Sequence, residues 1–238
     1  MAEFDCSTNT MKKPVPYPNG FNARTQSVCG SNDSEIVVVD GQSGKLMAFN
    51  PNNKKYGAAV PMPPIGHSTA SLMIDGNVHS EHGQKNSSNQ YLVYSMATGR
   101  VTEFKPNLKS HRMREVSITK QADDSEFYKF GGWDDTTKKC TDSFFVGKLQ
   151  NGKADKPIIW KQADHFKLKK PLLGCGVIQR YPFIVIFGGE TTGDKALDDI
   201  YILDIRSKSG WVQSPIKCPK KNMCVKRLKR KKRKQRGQ

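Results

Sequence analysis

Three groups of residues in this 238-residue chain have types and spacing suited to chemistry. His79-x-x-His82, with Glu81 between the two histidines, combines the imidazole and carboxylate groups that bind zinc and related ions. A helical zinc site needs His-Glu-x-x-His spacing, however, and this pair falls in a polar stretch without an evident third ligand, so a solvated loop and no metal are expected. The second group is the C-terminal run Lys226, Arg227, Lys229, Arg230, Lys231, Lys232, Arg233 and Lys234. Clustered cations of this kind meet phosphates and release counterions, or serve as a nuclear-import signal. No aromatic residue is interleaved for base stacking and no groove-reading motif is present, so three readings stand: nuclear import, nonspecific anion contact, or a solvated tail. The third group is Trp133, Asp134 and Asp135 together with Glu190 and Asp194, each set just after a Gly-Gly pair. Polar loop residues held on rigid strands are where partners dock, so these are the candidate partner-binding residues.

No catalytic residue can be assigned. A Ser-His-Asp order and a phosphate loop are both missing from the sequence. Six cysteines show neither a C-x-x-C pair nor regular spacing, which argues against a zinc module or a disulfide framework. Cys175, between Gly174 and Gly176, reads as a small buried hydrophobe. The expectation is a non-enzymatic chain with no cofactor.

The net charge of +17 belongs mostly to the tail. From Lys217 onward there are twelve Lys/Arg and no acid; removing them from 39 leaves 27 bases against 22 acids, or +5 for the first 216 residues. Nine charges between positions 225 and 236 should repel one another and keep the tail disordered. Hydrophobic residues make up 36% of the chain, arranged in short bursts far below the roughly 18 consecutive apolar residues of a membrane helix. The first residues lack a basic stretch followed by an apolar one, so no secretory signal is read and a cytoplasmic or nuclear location is expected.

The elements that must position these groups repeat. Phe127-Tyr-Lys-Phe-Gly-Gly-Trp133 and Ile184-Val-Ile-Phe-Gly-Gly-Glu190 are strand-like segments ending in Phe-Gly-Gly, with glycine pairs Gly131–Gly132 and Gly188–Gly189 spaced 57 residues apart. After each pair come a polar loop, a second strand (142–148 and 199–204), a turn and a tryptophan, Trp160 or Trp211. Looser copies lie upstream. In one, 35–41 is the glycine-ending strand with Asp40–Gly41 replacing the pair, 45–50 is the next strand, and Tyr56 stands for the tryptophan. In the other, 68–75 is the first strand, 89–94 and 101–104 follow, and the glycine strand near 76–83 is barely recognisable. First strands for the remaining units are expected at 25–29, 115–119 and 172–179. Helical periodicity is absent and Gly and Pro punctuate too often for helices, so the class is all-β.

The unit resembles the kelch repeat, in which each copy is one four-stranded blade of a β-propeller, with a Gly-Gly pair closing the second strand and spaced Tyr and Trp after it. Four blades are expected, at about 22–63, 64–108, 109–165 and 166–216, with an N-terminal arm over 1–21 and the basic tail over 217–238. Gly131, Gly132, Gly188, Gly189, Tyr201, Trp160 and Trp211 are then structural, turning the chain or filling the wedge between blades. His67, within Gly66-His67-Ser68, matches a recurrent start of such units and implies a structural hydrogen bond. Kelch rings hold six or seven units, so four imply closure with four blades, completion by a partner, or a truncated copy; an open arc or a truncation is the expectation.

The resemblance implies a scaffold or adaptor that binds a protein partner through loops. Kelch proteins often serve as ubiquitin-ligase adaptors, joined there to a BTB module that this sequence does not contain. A nucleic-acid-associated or nuclear protein acting through its tail is the alternative, and a kelch-type enzyme, such as a copper oxidase or a sugar isomerase, is a third.

Overall fold

Apolar bursts of four to six residues broken by Gly, Asn and Asp produce strands of that length joined by tight turns. In the chain's computed structural model, residues 4–5, 10–11, 15–16, 26–30, 36–40, 43–62, 70–82, 90–107, 113–114, 117–121, 123, 125–134, 136–192, 195–207 and 209–218 are described. A short hairpin, β1 (Phe4–Asp5) with β2 (Thr10–Met11), comes first. Blade one orders β3 (Gln26–Gly30), β4 (Ile36–Asp40), β5 (Lys45–Asn50) and β6 (Lys55–Tyr56), with β7 (Val60–Pro61) returning to the start of β5. Where blades three and four have a glycine pair, the Asp40 carboxylate accepts from the Ser43 N–H and hydroxyl and so holds the β4–β5 turn. Blade two orders β8 (Ala70–Ile74), β9 (Asn77–His82), β10 (Gln90–Ser95) and β11 (Val101–Phe104). Its first hairpin turns on Asp75 and Gly76, both at positive φ.

After β12 (Met113–Arg114), blade three comprises β13 (Ser117–Lys120), β14 (Phe127–Phe130), β17 (Phe144–Leu149) and β18 (Ile158–Gln162), with β15 (Trp133–Asp134) and β16 (Lys139–Cys140) forming a hairpin between β14 and β17. Blade four repeats the plan with β19 (Gly176–Arg180), β20 (Phe183–Phe187), the hairpin β21 (Glu190–Thr191) with β22 (Lys195–Ala196), β23 (Ile200–Asp204) and β24 (Val212–Gln213). All pairings within the blades are antiparallel. The innermost strands follow one another, β3 beside β8, β8 beside β13, β13 beside β19.

These four sheets, set in a ring whose last blade leaves its forward face open, make a four-bladed β-propeller, the all-β class, blade number and open ring that the sequence implies. Boundaries agree with the expected strands to within two or three residues, with one exception. The first strand of blade four begins at Gly176 rather than Leu172, because Gly174 takes φ 58° and residues 168–175 serve as a connector whose leucines are buried.

The core lies between the blades. Val37, Val39 and Leu46 of blade one meet Met73, Val78, Leu92 and Tyr94 of blade two. Leu72, Ile74, Tyr91 and Val93 of blade two meet Phe127, Phe145, Ile158 and Trp160 of blade three. Tyr128, Phe130 and Phe144 of blade three meet Ile184, Ile186, Tyr201, Leu203 and Trp211 of blade four. Alternation along each strand thus sends one residue set to the preceding blade and the other to the following one. Among the described residues, no helix is long and apolar enough to cross a membrane.

Candidate functional site

The rim of blades three and four gathers part of the candidate set. At the end of β14 the chain must reverse within two residues, and Gly131 and Gly132 do so at φ 64° and 102°. A Cβ on Gly131 would stand 2.5 Å from the Leu172 carbonyl oxygen, so no other residue fits there. The Gly132 N–H donates to that same oxygen at 2.7 Å. In blade four, Gly188 and Gly189 turn likewise, and Leu173 and Glu190 exchange backbone hydrogen bonds at 2.9 and 3.0 Å. The 168–175 connector is therefore stitched to both glycine turns. The two hairpins also touch directly, since the Cys140 N–H donates to Thr192 Oγ1 at 3.0 Å and the Cys140 thiol faces the Glu190 carbonyl. Successive rims form one surface held by backbone.

On that surface Trp133 is half-buried, and its indole N–H is buried with no acceptor among the described residues. Asp134 is buried, and its carboxylate accepts from the Thr136 N–H at 2.8 Å and the Thr137 hydroxyl at 2.9 Å, so it shapes the hairpin turn. Glu190 is half-buried on β21. Asp135 and Asp194 lie outside the described residues, as do His67 and Lys226, Arg227, Lys229, Arg230, Lys231, Lys232, Arg233 and Lys234. Among the described residues of the β15–β16 hairpin, Thr136, Thr137, Lys138 and Lys139 are exposed.

The root of the basic tail is anchored. Buried Asp199 accepts hydrogen bonds from Lys217, from Lys170 at 3.1 Å, from the Tyr201 hydroxyl at 3.2 Å and from Gln213 at 3.0 Å. The Lys217 contact, with help from Lys170, holds its carboxyl down at about 2. Cys218 N–H donates to the Asp198 carbonyl. Trp211, nearly buried, donates its indole N–H to the Phe166 carbonyl and lies edge-on to Phe130 and Phe144. Trp160 lies over Gly147, where a Cβ would meet its ring at 2.6 Å.

Two polar constellations between blades two and three carry no repeat signature. The first corrects the histidine reading: His79 and Glu81 stand on β9 rather than in a solvated loop. His79 is 2% exposed. Its Nε2–H donates to the Ala154 carbonyl at 2.9 Å; because a carbonyl only accepts, the proton sits on Nε2. Nδ1 then accepts from the Tyr91 hydroxyl at 3.0 Å, whose oxygen accepts the Ile158 N–H. Burial lowers the His79 pKa to about 4, against the Ala154 bond, and raises that of Tyr91. The imidazole is a neutral strut. The second constellation is Lys129, 2% exposed, which donates to both Glu81 oxygens at 3.0 and 2.8 Å. Its ammonium also lies 4.7 Å from the Trp160 ring centroid and 5.2 Å from that of Phe145. Alternation was the available signal, since Lys129 shares a face with Phe127 in a strand otherwise apolar. Among the described residues, no group of three or more His, Cys, Asp or Glu is arranged to hold a metal ion.

Fold and rim together define a β-propeller. By sequence the chain matches no family model and no curated protein. Among solved structures it is similar to the one titled "Structure of YjhT", with a TM-score of 0.65 and 15% identity over 84% of this chain. This chain spans 66% of that protein's length. The likeness is one of fold.

Proposed function

We propose that this chain is a non-enzymatic protein-interaction module, a scaffold or adaptor in the kelch manner, that takes an acidic partner segment on the joined rim of blades three and four. The observation that carries this reading is the bond between the two hairpins, Cys140 N–H to Thr192 Oγ1, with the 168–175 connector sewn to both glycine turns. A rim already ordered by backbone loses little conformational freedom when a partner arrives. Lys138 and Lys139, exposed at its edge, supply the complementary charge. The basic tail acts separately, as a nuclear-import or anion contact.

Capture experiments with three chains test this: the whole protein, a form ending at Cys218 so that the Lys217 anchor is kept, and Lys138→Glu with Lys139→Glu. The expected result is the same protein partner with the first two and its loss with the third. Recovery of nucleic acid by the whole chain, falling steeply with salt and absent from the shortened form along with every protein, would overturn the reading in favour of the tail.

A further inference from the structure

Each blade sends one face forward to the next blade, and in the first three that face is buried: Val37, Val39 and Leu46 in blade one, Leu72, Ile74, Tyr91 and Val93 in blade two, Tyr128, Phe130 and Phe144 in blade three. Blade four has the same kind of face, and among the described residues it is largely exposed. Ile178, Val185, Ile202 and Val212 are direct cross-strand partners, forming one apolar row across all four strands. Ile178 is 59% exposed, Val212 58% and Ile202 36%. Phe183, on the same face, is 44% exposed, and Tyr181 and Ile216 widen the patch at its margins with 60% and 69%. These are the exposed large hydrophobics of the described residues, and all six lie on blade four. Scattered exposed hydrophobics need no explanation; six gathered on one sheet do.

We propose that this face of blade four is the interface for a second copy of the chain, the two copies packing blade four against blade four about a two-fold axis. Two features of the molecule select that occupant. The equivalent outward face of blade one is already closed, with Val38 at 0%, Met47 at 5% and Phe49 at 4% exposure, so a head-to-tail stack of blade four on blade one has no open surface to use. An exposed self-similar sheet face that cannot propagate closes instead as an isologous pair. The edge of the blade is also unsuited to strand addition, since β24 is only two residues long. Two such faces about 10 Å apart would interdigitate as the inner faces of a β-sandwich do. Four strands about 4.8 Å apart and five residues of about 3.3 Å each give a face of roughly 300 Å² in projection, which is the apolar centre of an interface rather than the whole of one. Tyr181 and Ile216 extend it, and the charges nearest the row, Arg180, Asp204 and Arg206, sit at one end of it and include both signs.

Sedimentation of the full chain between about 1 and 100 micromolar tests the proposal, because an apolar centre this small belongs to the weak end of interface sizes. The expected result is a monomer–dimer equilibrium whose dissociation constant rises at least about tenfold in Ile202→Lys and in Val212→Lys, with circular dichroism unchanged. Hydroxyl-radical footprinting of the unaltered protein is the second measurement, in which Tyr181 and Phe183 become protected as the dimer forms; it stands even where a substitution fails to fold. A chain that stays monomeric over the range overturns the proposal and leaves the face to an unlike partner. A dimer that ignores both lysines and leaves Tyr181 and Phe183 reactive overturns it as well.

Discussion

Glu81→Gln is the most searching single change in this protein, because it removes one charge from a pair that water hardly reaches. Lys129 has a side-chain exposure of 3% and Glu81 of 15%, and their contacts are 3.0 and 2.8 Å. Breaking a buried pair by deleting one partner costs about 3–5 kcal/mol, since the remaining charge keeps its desolvation penalty. Glutamine retains an acceptor oxygen, and the rings of Trp160 and Phe145 still face the ammonium, which places the cost at the lower end, about 3 kcal/mol. For a domain of this size that is about 6–12 °C in melting temperature. Lys129→Met leaves a carboxylate that reaches solvent more readily, at a cost of about 1–2 kcal/mol. The double variant replaces the pair by groups without charge in a site already walled by aromatic rings, so its cost should fall to about 1 kcal/mol. Urea unfolding of the four proteins, followed by circular dichroism so that altered quenching of Trp160 does not mislead, gives a coupling of about 3 kcal/mol, little changed by added salt because the pair is buried. If Glu81→Gln costs under about 1 kcal/mol, or if the single effects simply add, the pair is not the inter-blade clamp described here.

Two further outcomes follow from the same structure. His79 has a folded pKa of about 4, below its ordinary 6.5, so the unfolded chain takes up the proton first. Its contribution is complete above about pH 6.5 and is lost as the pH falls toward 4, amounting to about 3 kcal/mol; denaturant midpoints measured across that range should flatten in His79→Phe, and an unchanged slope refutes the buried neutral imidazole. Gly131→Ala meets the Leu172 oxygen as well as an unfavourable φ and should cost more than about 3 kcal/mol, whereas Gly152→Ala, at nearly the same φ with open space around it, should cost about 1 kcal/mol. Equal losses in thermal melts of the two would remove the connector contact as the reason for glycine at the rim.

Much of the architecture is legible in the residues. Phe-Gly-Gly at 130–132 and 187–189 marks both the end of a strand and the turn into the rim, because φ above +60° is open to glycine and strained for nearly everything else. The weaker blades are legible by analogy, with Asp40 doing by side-chain hydrogen bonds what a glycine pair does elsewhere. The candidate site was less so. Asp134 reads as a loop acid, yet its carboxylate is taken by Thr136 and Thr137, a contact that depends on how the hairpin closes. Leu172 and Leu173 read as strand, and only their bonds to two different blades make them a connector.

Strand periods, turn positions and the charge of the tail are properties of neighbouring residues, so the sequence alone determined a four-bladed all-β chain with a basic end. Which polar groups are buried together was decided by the tertiary structure. Glu81 and Lys129 are 48 residues apart and meet only because blades two and three turn those faces toward each other. The same holds for blade four, whose strands alternate like the others; that its forward face is open while blade one's outward face is closed is a matter of what packs on each, and no local pattern encodes it.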